Sequence, residues 1–345
     1  MAPRLMVTKK VTAAVAALSA TALTATLLAA PAQAADNGLF GSQNPQFDGV
    51  FRQSLAIAGL DAVGADVPDA AIDWLVDQQC ANGSFESYRA NTSGACATSD
   101  PENFSGPNVD ATGLAAVALY LADREAEARR AAAWLLRAQN SDSGFPSYLG
   151  GQSNANSTAM ALIGLQTVQA GTYASAVRGA KSFLGALKLK CSSGGGLSFL
   201  KGGTPNGLAS SQALMGLAGA LPVEDNVDLR NDPDCRKRDT NSNVGSFVAS
   251  AISEDGAIPS DFGSGPDLSS TGWALLGLTA LGRGSSAVQS GLATLQDEAT
   301  EYAISDGEAV PAALGLLLLV SEATDTSARN FGGVNLVTAL RSSIR

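Results

Sequence analysis

The phrase WLVDQQCANGSF runs from Trp74 to Phe85, and WLLRAQNSDSGF runs from Trp134 to Phe145. Trp, Gln and Phe each return 60 residues later, at Trp134, Gln139 and Phe145. A phrase repeated at a fixed displacement marks a repeat architecture, in which one supersecondary unit is used several times. The phrase also has a physical reading. Gln79 and Gln139 stand at the end of an amphipathic segment, where an amide can bond the exposed carbonyls of a helix end. Asn82 and Gly83 then make a tight turn, because glycine accepts positive φ. The Phe packs back beneath that turn. In the second copy the glycine comes one place later, at Gly144, which reads as an inserted residue.

Working outward, apolar segments rich in small residues stand between the phrases. They begin near Ser54, Asp110, Asn156, Leu208, Leu268 and Val310. Gly59, Gly164, Gly216, Gly277 and Gly315 mark five of them, with Ala118 in the remaining one, so the unit is about 50 residues long. A helix with no polar face must be buried all round, and these six form an inner layer. A second set is amphipathic: Asp69–Gln79, Glu127–Gln139, Ala176–Leu187, Val244–Ile252, Ala287–Gln296 and Gly333–Ile344. With one buried and one wet face each, these form an outer layer. Hairpins in series either stack openly or close into a ring. An open stack needs a polar terminal cap, and the last inner segment is among the most apolar. The sequence therefore predicts an all-α, closed (α/α)6 toroid.

The first 34 residues read as a secretory signal peptide: Arg4, Lys9 and Lys10, an apolar stretch from Val11 to Ala30, and a cleavage site at Ala32–Gln33–Ala34. That leaves residues 35–345 as one toroid domain, released outside the cell, with no further segment long enough to span a membrane. The remaining chain carries 19 Lys and Arg against 32 Asp and Glu. So acidic a chain is expected to hold neither nucleic acid nor an anionic surface. Cys80, Cys96, Cys191 and Cys235 suggest two disulfides, and proximity favours Cys80–Cys96 and Cys191–Cys235 among three connectivities. There is no His. That excludes a Ser-His-Asp or Cys-His apparatus and any His-containing zinc site, so no cofactor or metal is expected.

The phrase QCANGSF (Gln79–Phe85) resembles the Q-x-x-D-G-x-W motif of squalene-hopene cyclases and the wider terpenoid cyclase and protein prenyltransferase superfamily. Asn82 stands for Asp and Phe85 for Trp. FVASAISEDGAI keeps the register with Phe247, Ile252, Asp255, Gly256 and Ile258, and GGGLSF (Gly194–Phe199) is a weaker echo. The resemblance implies the toroid. It does not carry the chemistry. The D-x-D-D acid of class II cyclases is absent, aromatic residues are sparse on the inner segments, the prenyltransferase zinc ligands lack their His, and no Cys lies in a thioester motif.

What remains is the rim where the inner helices begin. Asp110, Thr112, Asn154, Asn156, Thr158, Ser211, Gln212, Asp267 and Thr271 crowd there, with Trp273 just beyond. Such residues with free N–H groups could bind a polar ligand or a small anion. They are also the preferred helix caps. Asp61, Asp110, Asp267 and Asp306 are the acids at inner-helix ends that a glycan-active enzyme would have to pair. Two long polar loops, Asn91–Asn108 and Glu224–Asn243, are tied by cysteines, and the second carries Arg236, Lys237 and Arg238. The expectation is a secreted, monomeric, non-catalytic binding or interaction module for a small molecule or a cell-surface or protein partner. The alternative is a cyclase-like or glycan-active enzyme.

Overall fold

The computed structural model describes residues 37–169, 171–224, 228–261 and 263–345. The signal peptide expected over residues 1–34 lies outside the described residues.

Six buried helices form the inner layer: α1 (Gly49–Ala62), α3 (Val109–Leu121), α5 (Ala155–Gln169), α7 (Gly207–Ala218), α9 (Leu268–Ala280) and α12 (Pro311–Ala323). Six others lie outside them: α2 (Asp69–Asp77), α4 (Glu125–Ala138), α6 (Ala174–Ala186), α8 (Thr240–Asp255), α10 (Ser285–Asp297) and α13 (Leu336–Arg341). A short α11 (Ala299–Ala303) was not expected from the sequence. Two minimal hairpins, Phe145–Pro146 with Ser153–Asn154 and Ile304–Ser305 with Glu308–Ala309, precede α5 and α12. Each inner helix packs on the next, and α1 packs on α12. The ring is therefore closed, and the fold is the all-α toroid. The first described residues meet the C-terminal residue at the seam, where Gly38 N–H donates to Arg345 O and Arg345 N–H to Leu39 O.

Small residues set how closely the inner helices approach. A Cβ on Gly164 of α5 would lie 2.6 Å from Gly113 O of α3. At the seam, a Cβ on Gly59 would lie 2.5 Å from Gly315 O, and one on Gly315 2.4 Å from Leu55 C. At these crossings backbone packs on backbone, and only glycine fits.

The repeated phrase turns out to be a joint between layers. Gln79 Nε2 donates to Gly83 O of its own turn at 3.1 Å and to Glu127 O of α4 at 2.9 Å. Gln139 Nε2 donates to Ser143 O at 2.9 Å and to Ala176 O of α6 at 3.0 Å. Each glutamine thus closes one turn and ties its outer helix to the next. The second copy has no insertion. Asn82 accepts from Ser84 N–H and Asp142 from Gly144 N–H, so Ser143 takes the place of Gly83. Both residues have positive φ, +93° at Gly83 and +69° at Ser143.

The aromatic position is anchored by the following inner helix. Phe85 N–H donates to Thr112 Oγ1 at 3.0 Å, Phe145 N–H to Thr158 Oγ1 at 2.9 Å, and Ile258 N–H to Thr271 Oγ1 at 2.9 Å. In the third unit the donor is Leu197, to Ser210 Oγ at 2.9 Å. Leu197 rather than Phe199 therefore fills the aromatic place of that echo, and Phe199 is left 43% exposed. In the first unit Gln53 Oε1 accepts the Phe40 N–H.

Both expected disulfides are present, Cys80–Cys96 and Cys191–Cys235. Among the described residues, no helix is long and apolar enough to cross a membrane.

Candidate functional site: the mouth of the ring

The helix starts are satisfied from two directions. Asn108, Asn154, Asn206 and Asp267 cap their helices, accepting from Ala111, Ser157, Ala209 and Ser270 N–H at 2.7–2.9 Å. Each such cap contributes about 1 kcal/mol. The loop of the next repeat takes earlier N–H groups. Val50 N–H donates to Ser87 O, Val109 N–H to Ser147 O, and Ala155 N–H to Phe199 O. Gly207 and Leu208 N–H donate to the carboxylate of Asp261. Caps and neighbouring loops thus take up several of the N–H groups expected to be free at the rim. Side chains also face the mouth.

The layer-joining hydroxyls show which side chains those are. Thr112, Ser210, Thr158 and Thr271 point outward, to the turns of the outer layer. A helix turns about 100° per residue, so residues two before and two after each hydroxyl lie on the opposite side, toward the ring axis. The residues two before are Asp110, Asn156, Leu208 and Ser269; Phe51 of α1 and Ala312 of α12 hold the corresponding places. All six are partly exposed. The residues two after are Leu114, Met160, Gln212 and Trp273, joined by Leu55 and Leu316. All six are buried. The mouth is therefore a shallow funnel with a partly exposed rim and a closed floor.

The funnel is polar on one side. Asn156 Nδ2 donates to Gln212 Oε1 at 2.7 Å, bridging α5 and α7. Asp110 of α3 lies near Ser157 of α5, while its Oδ1 is buried with no hydrogen-bond partner. Burial pushes the Asp110 carboxyl up to about 6, against the milder lowering effect of Ser157. Ser211 Oγ is likewise buried without a partner. On the far side Tyr302 of α11 lies near Ser269, and burial pushes its phenol up to about 12. Phe51, Ala312, Leu55 and Leu316 make the remaining side apolar.

Exposed phenylalanines stand around this rim. Phe47, immediately before α1, is 85% exposed, and Phe104, in the loop before α3, is 75% exposed. Phe104 meets Tyr148 edge-on at 6.3 Å between ring centroids. Phe199 is held beside α5 by its carbonyl, as above. Of the large exposed apolar residues described, only Leu136 lies elsewhere, on an outer helix.

The ten residues expected at the rim therefore divide. Asp110, Asn156, Gln212 and Trp273 face the axis. Asn154 and Asp267 are caps, and Thr112, Thr158 and Thr271 join the layers. Ser211 lies between. The register that reveals this division, a cap followed four residues later by Ser or Thr, is written in the sequence, and it also finds Leu208 and Ser269.

The four acids do not converge. Asp61 lies in the last turn of α1, at the opposite end from the mouth, where burial and the nearby Asp123 raise its carboxyl. Asp306 sits in a turn with φ +53°. Cys80, Glu86 and Cys96 lie close enough to suggest a metal site, but the two sulfurs are joined to each other. A cleft of about 430 Å³ beside that disulfide is lined by Gln79, Asn82 and Arg89. Its Arg89 guanidinium donates to the carbonyls of Gln78, Thr92 and Gly94, holding the loop.

No protein-family model and no curated protein sequence matches the chain. Among solved structures it is similar to a protein from Actinoplanes, 16% identical with a TM-score of 0.51, over 90% of this chain and 94% of that one. It is similar to ent-copalyl diphosphate synthase from Streptomyces platensis, 14% identical with a TM-score of 0.52, over 79% of this chain and 49% of the synthase. It is also similar to a polysaccharide lyase, 11% identical with a TM-score of 0.50, over 81% and 90%. The chain has a terpenoid-cyclase-like α/α-toroid fold, a scaffold that enzymes use. It spans about half the length of the synthase. At these identities the likeness is one of fold.

Proposed function

We propose that this chain is an exported, non-catalytic binding protein whose mouth holds a polar, ring-bearing small molecule of the saccharide type. The observation that carries the reading is the shape and chemistry of the funnel. Its floor is filled by Trp273, Met160 and Leu114, each at most 2% exposed, which leaves no deep chamber for a folded polyene. Its rim offers the amide of Asn156 and the carboxyl of Asp110, with the buried Gln212 bonded to Asn156 below and exposed phenyl rings of Phe47, Phe104 and Phe199 beyond. Hydrogen-bonding groups beside apolar ring faces suit a ligand that is polar at its edges and apolar on its faces. Export is supported by the two disulfides, which persist in oxidising surroundings, and by the signal-like N-terminus.

Native mass spectrometry of protein recovered from the culture medium tests this. A co-purifying small molecule, lost from the double variant Asn156→Ala, Gln212→Ala, supports the mouth as its site. A bare mass in both proteins overturns tight small-molecule binding.

Asp110 favours a second reading. A carboxyl that keeps its proton up to about pH 6 at the mouth of a ring can serve as a general acid. Incubating the protein with oligosaccharides separates the two: turnover that vanishes in Asp110→Asn favours an enzyme, and binding without turnover favours the module.

A further inference from the structure

The net charge of the chain hides an uneven distribution. From Ser143 to Val223 the sequence has no Asp or Glu, yet it has Arg178, Lys181, Lys188, Lys190 and Lys201. All 32 acids lie elsewhere. This acid-free stretch is α5, α6, α7 and their loops, one contiguous sector of the ring.

A second cationic run, Arg236, Lys237 and Arg238, is brought to the edge of that sector. The Cys191–Cys235 disulfide joins the residue after Lys190 to the residue before Arg236, with their Cα atoms 5.7 Å apart. Lys188 Nζ donates to Arg238 O at 2.5 Å, and Asn243 Nδ2 donates to Leu189 O at 3.1 Å. Five cations thus meet where the end of α6 reaches the start of α8. Lys190, Arg236, Lys237 and Arg238 are exposed, and Lys188 is half-buried. Within residues 232–239 the acids are Asp232, Asp234 and Asp239, while Glu224, Asp225 and Asp228 come earlier in the same loop. Asp234 pairs with Arg236 at 2.9 Å, and Asp239 caps α8 by accepting the Ser242 N–H. Over residues 188–190 and 232–239 cations remain in excess, five to three, and the acid-free flank of α6 adds Arg178.

We propose that this disulfide-assembled patch docks a linear acidic polysaccharide. Excess cations spread over an outer surface, where the cavity beside Lys237 is small, about 120 Å³, and is lined also by Asp232 and Asp234, fit a chain of anionic groups better than a single small anion. The patch has no exposed aromatic ring on which a base could stack, since Phe183 packs against the core; this disfavours single-stranded nucleic acid. The rest of the ring is strongly acidic and repels a polyanion, so attachment occurs in one orientation. The composition argument against anionic partners holds for the whole chain and fails at this face. The surface is separate from the mouth, and the inference does not rest on the mouth's proposed role.

Heparin, a sulfated linear polysaccharide, is a suitable probe. The disulfide-bonded protein should bind immobilised heparin at about 25 mM salt. Its affinity should fall about 50-fold between about 50 and about 200 mM, the loss expected when about four cations are engaged on a single-stranded polyanion. The triple variant Lys190→Glu, Arg236→Glu, Arg238→Glu should bind at least about ten-fold more weakly. A control with the same change in net charge, Arg124→Glu, Arg129→Glu, Arg341→Glu, should stay within about two-fold of wild type. The mouth variant Asn156→Ala, Gln212→Ala should bind heparin fully, so failure of one proposal is distinguishable from failure of the other. Flow-through of the wild-type protein at low salt, or equal losses in the patch variant and the control, overturns the proposal. So does single-stranded DNA that displaces heparin better than chondroitin sulfate of equal charge.

Discussion

Phe145 and Thr158 meet across the two layers of the ring, the backbone N–H of one donating to the hydroxyl of the other at 2.9 Å. Thr158 Oγ1 in turn donates to Asn154 O at 2.6 Å, so the hydroxyl is used in both directions while the residue stays fully buried. Replacing it by valine keeps the shape and strands the Phe145 N–H in the core. A buried donor without a partner costs about 1–3 kcal/mol. Thr158→Val should lower stability by that amount in urea unfolding, and Thr158→Ser should recover most of it. A valine variant as stable as wild type would mean that the joint contributes nothing.

The glycine crossings should rank by how close a new Cβ would come. Gly164→Ala puts a methyl 2.6 Å from Gly113 O, whereas Gly216→Ala puts one 3.1 Å from Ala159 O. Overpacking a tight core costs about 1–3 kcal/mol. Gly164→Ala should fall in that range. Gly216→Ala should cost less, because a shift of a few tenths of an ångström relieves it. Thermal unfolding of the two variants side by side reads the order, and the reverse order would contradict the proposed role of these crossings.

Asp110 should make stability depend on pH in a defined direction. Its carboxyl titrates near 6 when folded, against an ordinary value of 3.8. Between those values the folded chain keeps a proton that the unfolded chain has lost. Stability attributable to this group therefore falls as pH rises from about 4 to about 6, and changes no further above that. Asp110→Asn should remove this slope, and the variant should gain on wild type as pH rises through that window. Urea midpoints at four pH values across it would show the crossover, and parallel profiles would count against the burial of this carboxyl.

Gln139 ties α4 to α6, and its loss should be felt between repeats rather than within one. Gln139→Ala removes two amide donations, each worth about 1 kcal/mol. Hydrogen exchange should quicken at the N-terminal turn of α6 as well as in the Ser143 turn. Quickening confined to the turn would show that the link to α6 carries no load.

Much of the ring could be read from apolar pattern alone. The inner segments had no wet face, and the structure buries them. Helix ends were less legible. α1 begins five residues before Ser54, because Gly49 to Gln53 include Arg52 and Gln53, polar residues that the structure buries in hydrogen bonds with Gln43 O and Phe40 N–H. The Phe199 misreading has a related cause: an aromatic residue in a Gly-rich loop looks like the motif's last letter, but the Ser210 hydroxyl selects Leu197. The rim was visible as a collection of Asp, Asn, Ser and Thr. Its division into caps, joints and axis-facing groups depends on where each hydroxyl points. The occupied N–H groups could not be foreseen, since their acceptors belong to the next repeat.

The hydrogen bonds between Gly38, Leu39 and Arg345 have one further consequence. Together with α1 packing on α12, they make the seam between first and last repeats a joint like the others, so the ring has no privileged beginning. A circular permutant of residues 38–345 that joins Arg345 to Gly38 and opens the chain at the exposed Gly171, between α5 and α6, keeps every inner crossing intact. The order in which the six hairpins are synthesised is, in that sense, separable from the shape they make.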